Sequence, residues 1–461
     1  MNSGVFSREA TGGAVARGGF EYQDAFVLQN LPKWLAQDAF SHVVSETRGD
    51  VEVCYFSGSD VVLRSLYEAK GYELAASAFW SELADFKKIH HESPTEYVRF
   101  GLVCRSFVAA VEPLLNMLER LRGVLTSHPA SSPVVRDARD QIATWMAGKG
   151  RGAIAEFVMD RVEFIEFADE AAEPAFAGEF DRMFSVLDLR ATERTALKDQ
   201  FKALIATSSQ GPLHRDNLER AICFVSTAAK STWITTPRRL QLASGGMEDL
   251  RVPLEAFDGT ERANLGPGDW RALQERIATL AQFLSGSSDR RQISVDGKHR
   301  MSASCTLGYQ LSAVRGFHLQ VHHNGAVYRT DLHDAEPDEF FAAAQTAGEL
   351  NGTEGVVCIG FPTPVGGDLN ASGIPNLQKL ARLDLVSSGV INGMPTLNAA
   401  VRQAKTAMVR FRSEHGLSTL HLVVKAPSVF AMILGYRLNG VGRIQLYDWA
   451  DSTYKPTALL E

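Results

Sequence analysis

Cysteine is scarce in this 461-residue sequence, and nothing in its placement does chemistry. The five cysteines (Cys54, Cys104, Cys223, Cys305 and Cys358) are odd in number and far apart. That excludes a zinc-ligand spacing and a disulfide framework, and it reads as reduced core thiols in a cytoplasmic protein. No run of about 18 apolar residues occurs, so no helical membrane span is expected. The opening MNSGVFSREATGG has no apolar core and does not read as a signal peptide. Positive charge is not in excess: 47 Lys and Arg face 54 Asp and Glu, a formal net charge of −7. A permanent coat on nucleic acid is therefore excluded, while DNA stays open as a substrate met through a local basic face. The glycine-rich TGGAVARGGFEYQ (11–23) follows no strand and carries no Gly-Lys-Ser/Thr, so it is not a phosphate-cradling loop. What remains is ordinary globular composition, 45% hydrophobic and 22% charged, in a chain long enough for two or three domains.

The most informative stretch is SETRGDVEVCYFSGSDVVLRSLYEAK, Ser45 to Lys70. Val51, Val53 and Tyr55 alternate with Glu52 and Cys54, Gly58 sits in a polar turn, and Val61 to Tyr67 is rich in strand formers. The pattern predicts a hairpin. Side chains two apart on a strand share a face, so Glu68 and Lys70 point the same way. With Asp50 on the neighbouring strand the three converge. Two carboxylates and a lysine suit phosphodiester hydrolysis: the acids hold Mg²⁺ (or Mn²⁺), and the lysine stabilises developing charge or positions water. Taken alone, Glu68 and Lys70 also read as a solvated edge-strand pair. Asp85-Phe86-Lys87 repeats the triplet in a helical pattern, where residues two apart diverge, and Asp296-Gly297-Lys298 lacks an upstream acidic strand.

The flanks add to this reading. A helix from Phe20 to Leu35, ended or kinked by Pro32, precedes a strand Ser41–Glu46; a helix Ala78–Ile89 and a strand Tyr97–Cys104 follow the hairpin. The order α-β-β-β-α-β is that of a restriction-endonuclease core. Glu21 and Gln23 near the first helix's start are within reach of such a site, or simply favour a helix N-terminus. Arg99, Arg105, Arg120, Arg122, Arg136, Arg139, Lys149 and Arg151 make 99–151 locally basic, as a DNA face or as solvated helix faces. Residues 106–228 read mostly helical, and a boundary falls near 228–240, giving domains 1–228 (core about 14–106) and 229–461.

The second part is expected to be α/β and to contain a repeat. Gln292–Val295 leads through a polar loop to a helix holding LGYQLS, then to the strand Phe317–Val321 and Tyr328. His421–Val424 leads through a loop to a helix holding LGYRLN, then to Ile444–Tyr447 and Tyr454. Two strand-loop-helix units place their loops at the carboxyl ends of sheet strands, where open α/β sheets bind ligands and helix N-termini favour anions. The first loop supplies Lys298, Arg300 and Ser302; the second supplies Lys425, Pro427 and Ser428. Thr363 lies in a third such loop, after a strand Val356–Phe361; Tyr447 and Trp449 could stack on adenine, although core packing is the commoner fate of aromatics at strand ends. The cations also read as surface charge. Asn376–Leu385 and Thr396–His415 are expected helices.

The segment LHLVVKAPSVFAMILGYRLNGVGRIQLYDW resembles the SAVED sensor domain, with its Pro-containing turn (Pro427), apolar helix with a glycine (Gly435), and strand with a Tyr-Asp pair (Tyr447-Asp448). GGFEYQ, GDVEV and EAK resemble the PD-(D/E)xK nuclease domain that precedes SAVED in CBASS anti-phage effectors. The resemblance implies two fused CARF/Rossmann-like units, in agreement with the repeat. It implies a cyclic oligonucleotide, a tri- or dinucleotide, as the activating ligand. It implies oligomerisation on binding and Mg²⁺-dependent, non-specific cleavage of double-stranded DNA. Asp50, Glu68 and Lys70 match the nuclease motif, and Gln23 matches its GF-x-YQ element. Metal would be held by Asp50, Glu68 and the Ala69 carbonyl. Where relatives often carry paired acids this chain has Gly49-Asp50, so Glu52 remains an alternative first ligand; strand parity does not separate them. Two rival readings stand beside this one: a sensor whose inactive N-terminal domain recruits a partner, and an enzyme acting on the cyclic nucleotide itself.

Overall fold

A long helix, α1 (Arg8–Ala36), begins the described chain, and the strands β1 (Phe40–Ser45), β2 (Val51–Phe56) and β3 (Val62–Leu74) follow it. The computed structural model describes residues 8–59, 61–207, 211–334, 339–349, 352–369, 376–387 and 389–461. Two units divide the chain, Met1–Trp233 and Ile234–Glu461. Among the described residues no helix is long and apolar enough to cross a membrane.

In the first unit α2 (Ala76–Glu92) leads to β4 (Tyr97–Phe107), the order expected from the sequence. Then come α3 (Glu112–Ser127), α4 (Pro133–Gly148), α5 (Ala155–Arg161), β5 (Val162–Glu166), α6 (Ala172–Met183), α7 (Ala191–Thr207), β6 (Leu213–His214), α8 (Arg215–Val225) and α9 (Thr227–Thr235). The sheet order is β5-β4-β3-β2-β1-β6, antiparallel from β6 to β3 and parallel from β3 to β5. Residues 106–228 are thus not all helical: β5 pairs with β4 and completes the sheet. Tyr67 turns toward α1, its ring 5.3 Å from Phe26 and 6.0 Å from Trp34. The residues on either side of it turn toward α2, where Leu66 packs with Phe79, Leu83 and Phe86. This alternation, one side chain per face, is what puts Glu68 and Lys70 on the α2 side.

Pro32 does not end α1, which runs on to Ala36 and begins well before Phe20. Its last turn is closed from elsewhere in the chain. Arg215, wholly buried, donates to the carbonyls of Leu35 (2.9 Å), Gln37 (2.8 Å) and Phe40 (3.3 Å) and pairs with Glu219 at 2.7 Å. Helix-end carbonyls need such partners when no water reaches them.

The second unit holds two sheets. β7 (Arg238–Gln241), β8 (Leu250–Arg251), α10 (Glu255–Asp258), α11 (Pro267–Ser287), β9 (Gln292–Asp296), α12 (Met301–Gln310), β10 (His318–His323) and β11 (Ala326–Arg329) form the first half. β12 (Phe341–Thr346), β13 (Glu354–Gly360), α13 (Gly366–Leu369), β14 (Ala381–Ser387), α14 (Met394–Glu414), β15 (Thr419–Lys425), α15 (Ser428–Arg437), β16 (Arg443–Ala450) and β17 (Thr453–Leu460) form the second. The orders are β11-β10-β9-β7-β8 and β12-β14-β13-β15-β16-β17. β9 pairs with β10, and β15 with β16, in parallel, each after a crossover helix; β11 and β17 then return antiparallel. The repeat read from the sequence is therefore a repeat of structure. One expectation fails: Asn376–Leu385 is not a helix but the approach to β14 and its first part. Leu377, Leu380 and Leu383 mimic a helical spacing, yet Leu383, Leu385 and Ser387 alternate inward, and Ala381 to Val386 pair in register with β13. Arg382 and Asp384 bond side by side at 2.8 Å, as residues two apart on a strand do.

The two halves meet where α12 crosses α15. A Cβ on Gly308 would lie 2.0 Å from the Met432 carbonyl oxygen, and one on Gly435 would lie 2.1 Å from that of Cys305. The two glycines belong to the two LGY copies, and each faces the residue three before the other.

Gly308→Ala is expected to destabilise the second unit by about 3 kcal/mol, the upper range for forcing atoms into a close-packed contact; urea unfolding measures it. A pH effect is expected in the first unit. His42, facing His214 across β1 and β6 (ring centroids 5.3 Å apart), has its pKa pushed down to about 4 by burial, with His214 and Arg64 adding to it. Below about 6.5 the unfolded chain binds a proton that the folded chain refuses until about 4, so stability falls as pH drops through that window. His42→Gln should flatten the slope of unfolding free energy against pH between 4 and 6.5.

Candidate active site and candidate ligand loops

β2 and β3 bring the sequence-predicted acids and lysine together. In the β2/β3 register Val51 opposes Tyr67, so the next pair outward is Asp50 and Glu68. Lys70 Nζ lies 2.8 Å from Glu68 Oε2 and 3.6 Å from Asp50 Oδ2. Asp50 Oδ2 also accepts the Ala69 N–H at 2.7 Å. A strand residue's N–H and C=O point to the same side, so the Ala69 carbonyl faces the Asp50 side, past the last β2 partner. Gly49 leaves no room for more: a Cβ there would lie 2.9 Å from Glu68 Oε1.

A third carboxylate, which the motif did not indicate, comes from α2: Glu82 Oε1 is 3.6 Å from Lys70 Nζ. Its signal was present as an acid on a helix following the motif, but only the packing of α2 on β3 selects it. Burial pushes the Glu68 carboxyl up to about 7, opposed by its hydrogen bond from Lys70 and helped by the charges of Asp50 and Glu82. Burial works against the Lys70 charge too, but the carboxylates, Glu68 first, outweigh it and hold its pKa above the ordinary value.

Glu52 stands apart from this cluster. It is 1% exposed, pairs with Arg64 at 2.7 Å, and accepts from the hydroxyls of Tyr97 (3.2 Å) and Thr47. It ties β2 to its neighbours. Gln23 is half-buried on α1, next to Tyr22, whose ring lies 3.3 Å from where a Cβ of Gly71 would be. That contact is on the face of β3 away from Glu68 and Lys70, and among the described residues Gln23 has no hydrogen bond to the cluster. Three of the eight cations in the stretch 99–151 pair with acids: Arg99 with Glu163, Arg105 with Asp169, and Arg139 with Glu156 and Asp160.

In the second unit the loops at the carboxyl ends of β9 and β15 lie against each other. Ser428, at the start of α15, donates to the Gly297 carbonyl in the other loop. Ser302, at the start of α12, gives both its N–H (3.1 Å) and its hydroxyl (3.0 Å) to Asp448 at the end of β16. Both serines are buried, so their hydroxyls join the halves rather than face outward. Tyr447 is also buried, its hydroxyl 2.9 Å from His421 Nδ1. Lys298, Arg300, Thr363 and Lys425 are exposed at these loops, and Pro427 is half-buried at the start of α15. Arg300 bonds Asp258 through its backbone N–H at 2.8 Å, and Lys425 lies 3.5 Å from Asp368. Trp449 is the exposed aromatic here, 44% accessible, set edge-on to Tyr454. Beside these loops a cavity of about 510 Å³ opens at the carboxyl ends of β7, β9 and β10, lined among others by Arg239, Ser294, Asp296, His299 and His322. His299 Nδ1 is 2.5 Å from Asp258, an orientation no sequence spacing indicated.

The chain matches two family models: Cap4, dsDNA endonuclease domain, over residues 11–210, and the SMODS-associated and fused to various effectors sensor domain (SAVED) over residues 277–460. It is 45% identical over 464 residues to CD-NTase-associated protein 4 of Moraxella osloensis, and 44% identical over 463 residues to that of an Acinetobacter species; all of each chain is covered. Its fold is similar to the Acinetobacter baumannii Cap4 SAVED/CARF-domain containing receptor with the cyclic trinucleotide 2'3'3'-cAAA. The TM-score there is 0.89 and the identity 43%, over 96% of this chain and 98% of that one. The Moraxella osloensis Cap4 receptor gives a TM-score of 0.85 at 42% identity, over 97% of this chain and 100% of that one.

Asp50 and Glu52 should respond oppositely to replacement. Glu52→Leu strands Arg64 and is expected to cost about 3 kcal/mol of stability. Asp50→Asn relieves like-charge crowding and should leave the denaturation midpoint unchanged or higher.

Proposed function

Because this chain belongs to the CD-NTase-associated protein 4 family, with a Cap4 double-stranded DNA endonuclease domain and a SAVED sensor domain, we propose that it is a CBASS effector nuclease switched on by a cyclic oligonucleotide. The observation that carries the nuclease half is the charge of the β3 cluster. Asp50, Glu68 and Glu82 bring −3 and Lys70 brings +1, leaving −2 when all are ionised. The proton that Glu68 keeps up to about pH 7 partly compensates for that imbalance. All donors are oxygens, as a hard divalent cation requires. Among the described residues no three Asp, Glu, His or Cys side chains already converge as a ligand set, so the Ala69 carbonyl is the third donor in this reading. Asp50, Glu68 and that carbonyl would hold a Mg²⁺, which would supply Lewis acidity toward the phosphate and activate a water. Lys70, held charged by its carboxylates, orients the attacking water and offsets charge on the scissile phosphate. Glu82 positions Lys70 from the α2 side.

The ligand half rests on the paired loops. Two helix N-termini and three exposed cations, Lys298, Arg300 and Lys425, gather where the β9 and β15 loops meet, a setting for several phosphates at once. The relative whose structure is that of a receptor with a cyclic trinucleotide supports a cyclic trinucleotide here as well. Trp449 offers a stacking face for a base. Regulation is linkage: the ligand must bind the assembled, active homo-oligomer better than the resting chain.

Plasmid cleavage with Mg²⁺, across a panel of cyclic di- and trinucleotides, tests both halves. Cleavage is expected only with one ligand and should vanish with EDTA. Lys70→Ala should lower the rate at least about 100-fold while leaving ligand affinity unchanged. Cutting by that variant at the wild-type rate would remove Lys70 from the reaction, and ligand-bound protein that never cuts would favour partner recruitment.

A further inference from the structure

A chain with a net charge of −7 meets DNA only through a local excess of positive charge. Residues 99–151 hold such an excess: eight cations stand there against four acids, a local net of +4. Two of these cations, Lys149 and Arg151, are exposed where the end of α4 meets α2.

Both are held by rings. Lys149 Nζ lies 5.5 Å from the centre of the Trp145 ring, and the Arg151 guanidinium lies 5.5 Å from that of Trp80. The two rings, one from α4 and one from α2, are 6.5 Å apart and tilted by 32°. Cation, ring, ring and cation thus form one chain of contacts across the two helices. An acid partner cancels a cation's charge; a ring orients the cation and leaves its charge in place. Among the described residues neither Lys149 nor Arg151 pairs with an acid, in contrast to Arg139 of α4.

α2 adds an independent feature. It begins after Ala75, and no side chain caps its start. Its first turn holds no acid; Glu82, Asp85 and Glu92 come later in the helix. The positive end of the helix dipole is therefore not compensated from within the helix, and an anion suits it. The same helix carries Glu82 beside Lys70. From Ala76 to Glu82 is roughly 9 Å along the axis, and phosphates of one strand recur every roughly 3.4 Å of duplex axis. A duplex whose scissile phosphate meets Lys70 has other phosphates at that distance.

We propose that the amino end of α2, with Arg151 and Lys149 beside it, is a docking surface for the sugar-phosphate backbone of the DNA substrate, outside the catalytic cluster. The proposal rests on the nuclease reading. Backbone contacts carry no sequence information; they fix where the strand lies against Lys70 and its carboxylates.

The test is steady-state cleavage of a linear duplex by the full chain with Mg²⁺ and each cyclic di- and trinucleotide of the plasmid panel in turn, at several salt concentrations. Arg151→Gln is expected to raise KM about tenfold with kcat unchanged, the loss for one hydrogen bond to a charged group. The slope of log KM against log salt should fall by about one, for one phosphate contact fewer. Lys149→Gln should do the same, and Arg151→Lys should restore the slope. Ser77→Asp puts an acid in the first turn of α2, which favours the helix; it should leave the denaturation midpoint unchanged or higher and still raise KM about threefold. Lys202→Gln removes an exposed cation of α7 that pairs with Glu173, and should match the wild type. Circular dichroism identifies a variant that misfolds, and the other then carries the test. Wild-type KM and salt slope in both Arg151→Gln and Lys149→Gln overturn the proposal and leave the nuclease reading standing. A wild-type chain that cuts with no member of the panel overturns that reading, and the docking surface with it.

Discussion

Two helix backbones can touch only where side chains are missing from both, and the second unit is built on such a contact. Gly308 and Gly435 let α12 and α15 approach until carbonyls replace side chains as neighbours. Everything at the carboxyl ends of the two sheets follows from that approach. It lets Ser428 reach the Gly297 carbonyl and Ser302 reach Asp448, so the two loops act as one surface.

The first unit depends on a different constraint, which is electrostatic. Three carboxylates around one ammonium are tolerable in a half-buried site only because Lys70 is close to all three and Glu68 can keep a proton. The cluster is not an optimum for stability. With all four groups ionised it carries a net charge of −2, where a simple ion pair is neutral. Glu52 is the contrast: equally acidic, two residues from Asp50, yet matched by Arg64 and two hydroxyls and closed to solvent. The same side-chain type does opposite work, and the partners decide which.

What could be read in advance follows the range of each interaction. The hairpin, the pairing of Glu68 with Lys70 and the α-β-β-β-α-β order come from alternation along a few residues, and the structure contains them. The duplicated LGY segments were legible because a repeat needs no knowledge of packing. Errors arose where two periods overlapped: Leu377, Leu380 and Leu383 have helical spacing, but the β13 edge recruits Ala381–Ser387 as a strand. β5 hid in a helical stretch because it is a five-residue edge strand with one buried residue, too short to display a period of its own. Pro32 failed to stop α1 because Arg215, some 180 residues on, closes the helix end.

The candidate sites divide along the same line. Sequence alone determined the residue types at the nuclease centre, the lysine and carboxylate sharing a strand face, and the doubled loops with their cations, because these are local and periodic facts. Only the tertiary structure set Asp50 beside Lys70 and Glu52 against Arg64, brought Glu82 in from α2, and turned Ser302, Ser428 and Tyr447 inward. Each of these depends on which faces meet when distant segments pack, and side chains of equal charge are separated only by the partners that packing gives them.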